Sequence, residues 1–161
     1  MEKIWLKSYA PGVPAEIDPN TYRSLKDLAE RAWTQYADRV AFIQMGREMT
    51  FGELDRLSRQ FAAWLQKEAG LVRGDRIAIM LPNVLQYPIA MLGALRAGLT
   101  VVNTNPLYTE PELEHQVNDA GATTIVVLEN FAKTLQAALP KTGIKRIIIT
   151  GAGDLLGAPK S

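Results

Sequence analysis

Cysteine is absent from the 161 residues, and histidine occurs once, as His115. Neither a disulfide framework nor a cysteine-ligated metal site can be built from such a chain, and one copy cannot supply a site of several histidines. An excess of either charge is missing too. Eighteen Lys and Arg stand against 17 Asp and Glu, a net charge of +1, which gives no electrostatic footprint for nucleic acid. No apolar run approaches the ~20 residues of a membrane-spanning helix. Glu2 and Lys3 are not followed by the apolar stretch of a secretory signal, so a cytoplasmic protein is expected. What is present is ordinary for a soluble domain with a core of its own: 47% hydrophobic and 22% charged residues.

The most informative stretch is Gly74 to Tyr108. Ile77-Ala78-Ile79-Met80-Leu81 is a short apolar run that suits a strand buried on both faces. Pro82 ends it, and Asn83 is a residue able to start a helix. The helical stretch that follows carries Pro88. It therefore starts near Gln86 or has a distorted first turn. Ala90, Gly93, Ala94 and Ala97 suggest close packing of this helix on the sheet. Gly98 supplies a C-cap with positive φ, and Leu99–Val102 is a second strand. Strand, helix and strand of these lengths form a right-handed crossover with parallel strands.

The flanks continue the alternation. Ser24 and Asp27 open a helix over 25–37, and Val40–Gln44 and Glu48–Thr50 form a hairpin around Gly46. Thr50 and Glu53 make a capping box. Leu54, Leu57, Phe61 and Leu65 form the apolar stripe of the next helix, with Trp64 beside it, and Gly70 ends it. Thr109, Pro111 and Glu112 open another helix, which Gly121 stops. Strand 123–128, helix 131–139 and strand 146–150 complete the pattern. The expected fold is α/β: a mostly parallel sheet flanked by helices, with the early hairpin at its edge. Residues 1–23, with Pro11, Pro14 and Pro19, form an extended arm whose Ile4, Trp5, Leu6 and Ile17 can pack along the surface. Residues 24–150 form the α/β unit, and 151–161 a boundary loop.

Candidate chemistry is sparse. Gly151-Ala152-Gly153 follows a strand, but Leu156 stands where a dinucleotide fingerprint needs a third small residue. Glu110, Glu112 and Glu114 next to His115 read as acids favoured in a helix first turn. Lys67, Arg73 and Arg76 alternate with Glu68 and Asp75, which points to local ion pairs. The segment Asn103-Thr104-Asn105-Pro106-Leu107-Tyr108 leaves the carboxyl end of a parallel strand and enters a helix. It reads either as a structural turn, with Asn side chains bonding backbone and Tyr108 on the core, or as part of a ligand site.

Several ordered segments carry a family resemblance. They are Gly74-Asp75-Arg76, Leu81-Pro82-Asn83, Ala97-Gly98 and Asn103 to Thr109, with Thr50-Phe51-Gly52-Glu53-Leu54 before them and Glu112 to Ala122 after. Together the set resembles the acyl-adenylate-forming (AMP-binding) superfamily, and within it the bacterial long-chain fatty-acid–CoA ligases. Trp5 to Leu28 is similar to the start of the long-chain enzymes. The resemblance implies that the CoA nucleotide lies near Asn105, Pro106, Leu107 and Tyr108 and near a basic residue after the next strand. Matched by position, that residue is Lys133, which could hold a CoA phosphate or simply be an exposed helix lysine. This loop departs from the Gly-rich turn that would let backbone approach a phosphate closely.

The superfamily's Ser/Thr/Gly-rich ATP loop, its acidic Mg²⁺ ligand and its catalytic Lys have no counterpart here. The resemblance thus implies an N-terminal piece with no catalytic residue and no metal site, inactive alone and binding no cofactor by itself. Its parent would use ATP, Mg²⁺ and CoA on a fatty acid. The piece's main partner would be the remainder of that chain, on the inner face of the membrane. Two rivals stand. One is a stand-alone module that forms homodimers or binds acyl groups, with Tyr87, Trp64 and Phe131 as candidate surface and core the plainer home for Trp64. The other is a piece of a short-chain or aryl-acid ligase.

Overall fold

The structure, a computed structural model, describes residues 2–157. In chain order the elements are α1 (Leu25–Gln35), β1 (Val40–Gln44), β2 (Arg47–Thr50), α2 (Phe51–Lys67), β3 (Arg76–Met80), α3 (Gln86–Arg96), β4 (Thr100–Asn103), α4 (Glu110–Asp119), β5 (Thr124–Leu128), α5 (Ala132–Ala138) and β6 (Arg146–Thr150). The last four strands form a parallel sheet in the order β4-β3-β5-β6. Strands β1 and β2 form a separate antiparallel pair beside it.

Alternation along the central strands builds two cores. Ile77, Ile79 and Leu81 of β3 and its exit point to one face with Val126 and Leu128 of β5, and there they meet Leu65 of α2 and Ala90 and Ala94 of α3. Ala78, Met80, Ile125 and Val127 point to the other face, against Leu113 and Val117 of α4 and Leu135 of α5. A third cluster of Trp33, Met49, Leu54 and Leu85 joins α1 and the hairpin to this frame. The expected α/β architecture is therefore present, with helices on both faces of a parallel sheet.

Local chemistry explains the element ends. The Ser24 hydroxyl accepts the Asp27 N–H at 3.1 Å and caps α1. The hairpin loop is Met45-Gly46, both with positive φ (49° and 79°), which is the geometry that matches strand twist in a two-residue turn. Helix α3 starts at Gln86, so Pro88 lies in the first turn, where no intrahelical N–H is lost.

Other expectations are corrected. Asn83 does not cap α3; Leu85 holds that position, and its N–H donates to Gln44 Oε1 at 2.8 Å. Thr50 accepts the Glu53 N–H, but the Glu53 carboxylate turns to Arg47 at 2.6 Å, so only half the capping box forms. Gly93 packs on α2 rather than on the sheet. A Cβ there would lie 2.8 Å from Phe61 Cδ1 and 3.0 Å from Ser58 O. Trp64 is not core: it is 41% exposed and stacks on Phe61. The apolar arm does not cover the surface either, since Ile4, Trp5 and Ile17 are exposed, Ile17 at 87%. Arg76 donates to the Gly121 and Gly74 carbonyls instead of pairing with an acid, and Asp75 accepts the Val72 N–H.

Candidate functional site

Loops leave the carboxyl end of the parallel sheet toward opposite faces. The β3 exit leads to α3 on one side, while the flanking strands β4 and β5 lead to α4 and α5 on the other. Such a divergence marks the topological position beside β3 where open α/β sheets bind ligands in a crevice. The β4 exit carries Asn103 to Tyr108, and the β5 exit carries Lys133. The structure thus brings both candidate groups to one edge of the sheet, on either side of β3.

The loop's polar groups are largely occupied. Asn105 Oδ1 accepts the Leu107 N–H at 3.0 Å, and Asn105 O accepts the Tyr108 N–H at 3.1 Å. Buried Thr104 bonds back to Ile79 O through its N–H and to Val102 O through its hydroxyl. Asn103 Oδ1 accepts the Tyr87 hydroxyl at 3.0 Å, and Asn103 O accepts from Gln116 Nε2 at 3.1 Å. Tyr108 packs on the α4–α5 core. This is a self-bonded turn around Pro106, and what it offers outward is Leu107, 80% exposed. Lys133 is exposed in the first turn of α5.

Two cross-links that the sequence did not announce hold the edge together. Gln86, at the start of α3, donates through Nε2 to Gly151 O at 2.7 Å and Thr150 Oγ1 at 3.3 Å, tying the β3 exit to the end of β6. Tyr87 reaches across to β4. A glutamine beside a tyrosine at a helix start carries no sequence signal for either role. At the β6 exit, Asp154 accepts the Gly151 N–H and the Thr150 hydroxyl, both at 2.8 Å, and these bonds hold its carboxyl below the usual range.

The acids near His115 have structural work. Glu112 accepts the N–H and hydroxyl of Thr109, completing the expected capping box, and its carboxyl is held low by those two bonds. Glu110 pairs with Lys141 at 3.0 Å, and Glu114 lies 3.9 Å from the same amine. Among the described residues no group of His, Asp and Glu is arranged to hold a metal. No described helix is long and apolar enough to cross a membrane.

The model of the AMP-binding enzyme family matches residues 29–159. The chain belongs to that family. It is 56% identical over 160 residues to a long-chain-fatty-acid–CoA ligase of Yersinia pestis, covering 99% of this chain and 28% of that protein. A long-chain-fatty-acid–CoA ligase of Archaeoglobus fulgidus has the same fold, with a TM-score of 0.75 and 27% identity over 88% of this chain and 30% of its own. A benzoate CoA ligase from Burkholderia xenovorans LB400 superposes with a TM-score of 0.72 and 26% identity, over 78% of this chain and 25% of its own. The chain therefore spans 28% of the length of the curated relatives it matches first. Membership accounts for the ordered segments between Thr50 and Ala122, all inside the matched region.

Proposed function

We propose that this chain is the N-terminal α/β part of an ATP-dependent long-chain fatty-acid–CoA ligase. The observation that carries the reading is 56% identity to such a ligase across 99% of this chain. The parent reaction has two steps. A fatty-acid carboxylate attacks the α-phosphate of ATP, giving acyl-adenylate and releasing pyrophosphate. The CoA thiol then attacks the acyl carbonyl, forming the thioester and releasing AMP. ATP, Mg²⁺ and CoA belong to that parent, which would sit peripherally on the inner membrane.

Within it, this part forms one wall of the crevice beside β3. The Asn105–Tyr108 turn and Lys133 face the CoA side. The turn's internal bonding suits it to present Leu107 and the Tyr108 body as a rigid surface rather than to cradle phosphate with backbone N–H groups. Lys133 supplies a point charge for a CoA phosphate.

Two measurements test this. The purified chain, given ATP, Mg²⁺, CoA and a long-chain fatty acid, should release no pyrophosphate above blank; fatty-acid-dependent turnover would place the catalytic groups here. In the full-length parent, Lys133→Ala should raise KM for CoA about three- to tenfold with kcat little changed, the signature of lost uniform binding. An unchanged KM would remove Lys133 from the CoA wall. An acyl-chain panel on the same enzyme separates this reading from an aryl-acid ligase such as the Burkholderia structural relative.

A further inference from the structure

Helix α3 begins with a turn in which successive residues each tie down a different loop. The Leu85 N–H donates to Gln44 Oε1 of the hairpin at 2.8 Å, Gln86 Nε2 donates to Gly151 O beyond β6 at 2.7 Å, and the Tyr87 hydroxyl donates to Asn103 Oδ1 of β4 at 3.0 Å. Pro88 stiffens the same turn by fixing its own φ, and Gly93 seats the helix closely against α2. Helix α3 is thus a firm post, and Tyr87 is its bond to the strand that leads into the 103–108 turn.

Asn103 is where that turn joins the sheet, and it is held from both faces. Val101 packs on the core beneath α2 and α3, as Tyr87 does, while Val102 packs on the α4–α5 side. Alternation along β4 therefore returns the Asn103 side chain to the Tyr87 side. Its carbonyl accepts from Gln116 Nε2 of α4 at 3.1 Å. Thr104 follows, with its N–H on Ile79 O of β3. Further along, Asn105 bonds to the N–H groups of Leu107 and Tyr108, which gives the turn its shape. The direction in which it leaves the sheet is set at its ends, by Tyr108 on the core and by Asn103 and Thr104 at the root.

We propose that Tyr87 is a positioning residue for the CoA side of the parent enzyme. Through Asn103 its hydroxyl fixes the root of the turn, and so holds Leu107 and Tyr108 where CoA meets them. This rests on the reading of Asn105–Tyr108 as part of the CoA wall. Ring and hydroxyl have separate duties. The half-buried ring packs on the core, and phenylalanine would keep that packing. The hydroxyl bonds an exposed asparagine, which water can satisfy as well, so folding gains little from this bond. Water cannot supply a fixed direction, and a wall held in its binding geometry before CoA arrives loses less entropy on binding.

The test uses the full-length parent. Tyr87→Phe should raise KM for CoA about two- to tenfold, the size of one hydrogen bond's net contribution, with kcat and the KM values for ATP and fatty acid little changed. Asn103→Ala should do the same, and the double variant should be no worse than either single one, because both remove the same bond. Effects that multiply in the double variant overturn the clamp. So does a fall in kcat with a rise in every KM, the pattern of a merely structural role. Leu107→Ala and Lys133→Ala test the wall itself. If they raise KM for CoA and Tyr87→Phe does not, the clamp falls and the CoA wall stands. If none of the three raises it, the CoA wall falls and the clamp with it.

Discussion

Gly93 shows how one missing side chain sets the spacing of two helices. Its Cα faces the α2 backbone so closely that an added Cβ would meet Ser58 O at 3.0 Å as well as the Phe61 ring. The ring can rotate, but the carbonyl belongs to a helix packed by buried Leu54, Ala62 and Leu65 and cannot give way alone. Gly93→Val should therefore push α2 from α3 and destabilise the fold by about 1–3 kcal/mol, the usual cost of overpacking. Urea unfolding measures it. A change near zero would mean that α2 slides freely. Arg96, one turn further along α3, works at the same interface. Its side chain is 7% exposed, lies over Trp33 at 4.1 Å and pairs with Asp55. Burial pushes the Asp55 carboxyl up, yet Arg59 and Arg96 together hold it low.

Among the elements, α4 offers the cleanest test of a helix start. Thr109 caps the Glu112 N–H, and Glu112 returns two bonds, so the pair is reciprocal. Thr109→Ala should cost about 0.5–2 kcal/mol, the range for losing an N-cap oxygen. Glu112→Gln keeps an acceptor but removes the titration. The folded pKa of Glu112 lies below its unfolded value. The folded state thus binds fewer protons, and the contribution is full above the ordinary carboxylate range and is lost as pH falls through the folded pKa. The stability gap between wild type and Glu112→Gln should shrink as pH drops below about 4. Urea midpoints at stepped pH follow it, and a gap that widens in acid would contradict the capping role.

Such starts were readable because caps are local: Ser24 with Asp27 and Thr109 with Glu112 announce themselves within four residues. The apolar runs of β3 and β5 were equally plain, since burial on both faces leaves no alternation to misread. What was not legible is tertiary. That Glu53 prefers Arg47 to its own helix start, that Gly93 meets α2 rather than the sheet, and that Trp64 lies outward depend on how α2 and α3 settle against each other. The edge at the sheet's carboxyl end shows the same division. That the 103–108 turn leaves the end of a parallel strand followed from the strand–helix–strand pattern, and Lys133 was singled out only by the family resemblance, whereas the Gln86 and Tyr87 cross-links required partners 65 and 16 residues away.

Across the whole molecule, the core clusters separate the residues that hold the fold from those that accompany it. The three core clusters draw on elements from α1 to α5 and include Leu155 beyond β6, but nothing before Ala29. The short helical turn Ile4–Ser8 buries no residue, and the contacts of the arm are exposed ion pairs such as Lys3–Glu16 and Lys7–Glu2. Exposed pairs of this kind contribute about 0–1 kcal/mol. The first residues engaged with α1 are Tyr22, whose ring centre lies 5.3 Å from the Arg31 guanidinium carbon, and Arg23, whose N–H donates to Asp27. Deleting residues 1–20 should therefore change the unfolding free energy by less than about 0.5 kcal/mol. The arm's amides should also exchange orders of magnitude faster than those of β3 and β5, which open only with the global fold. A loss of about 2 kcal/mol or more on deletion, beyond what surface changes produce, would show that Trp5 and Ile17 pack on the domain after all. The arm would then count as part of the α/β unit rather than as a segment free to meet another surface.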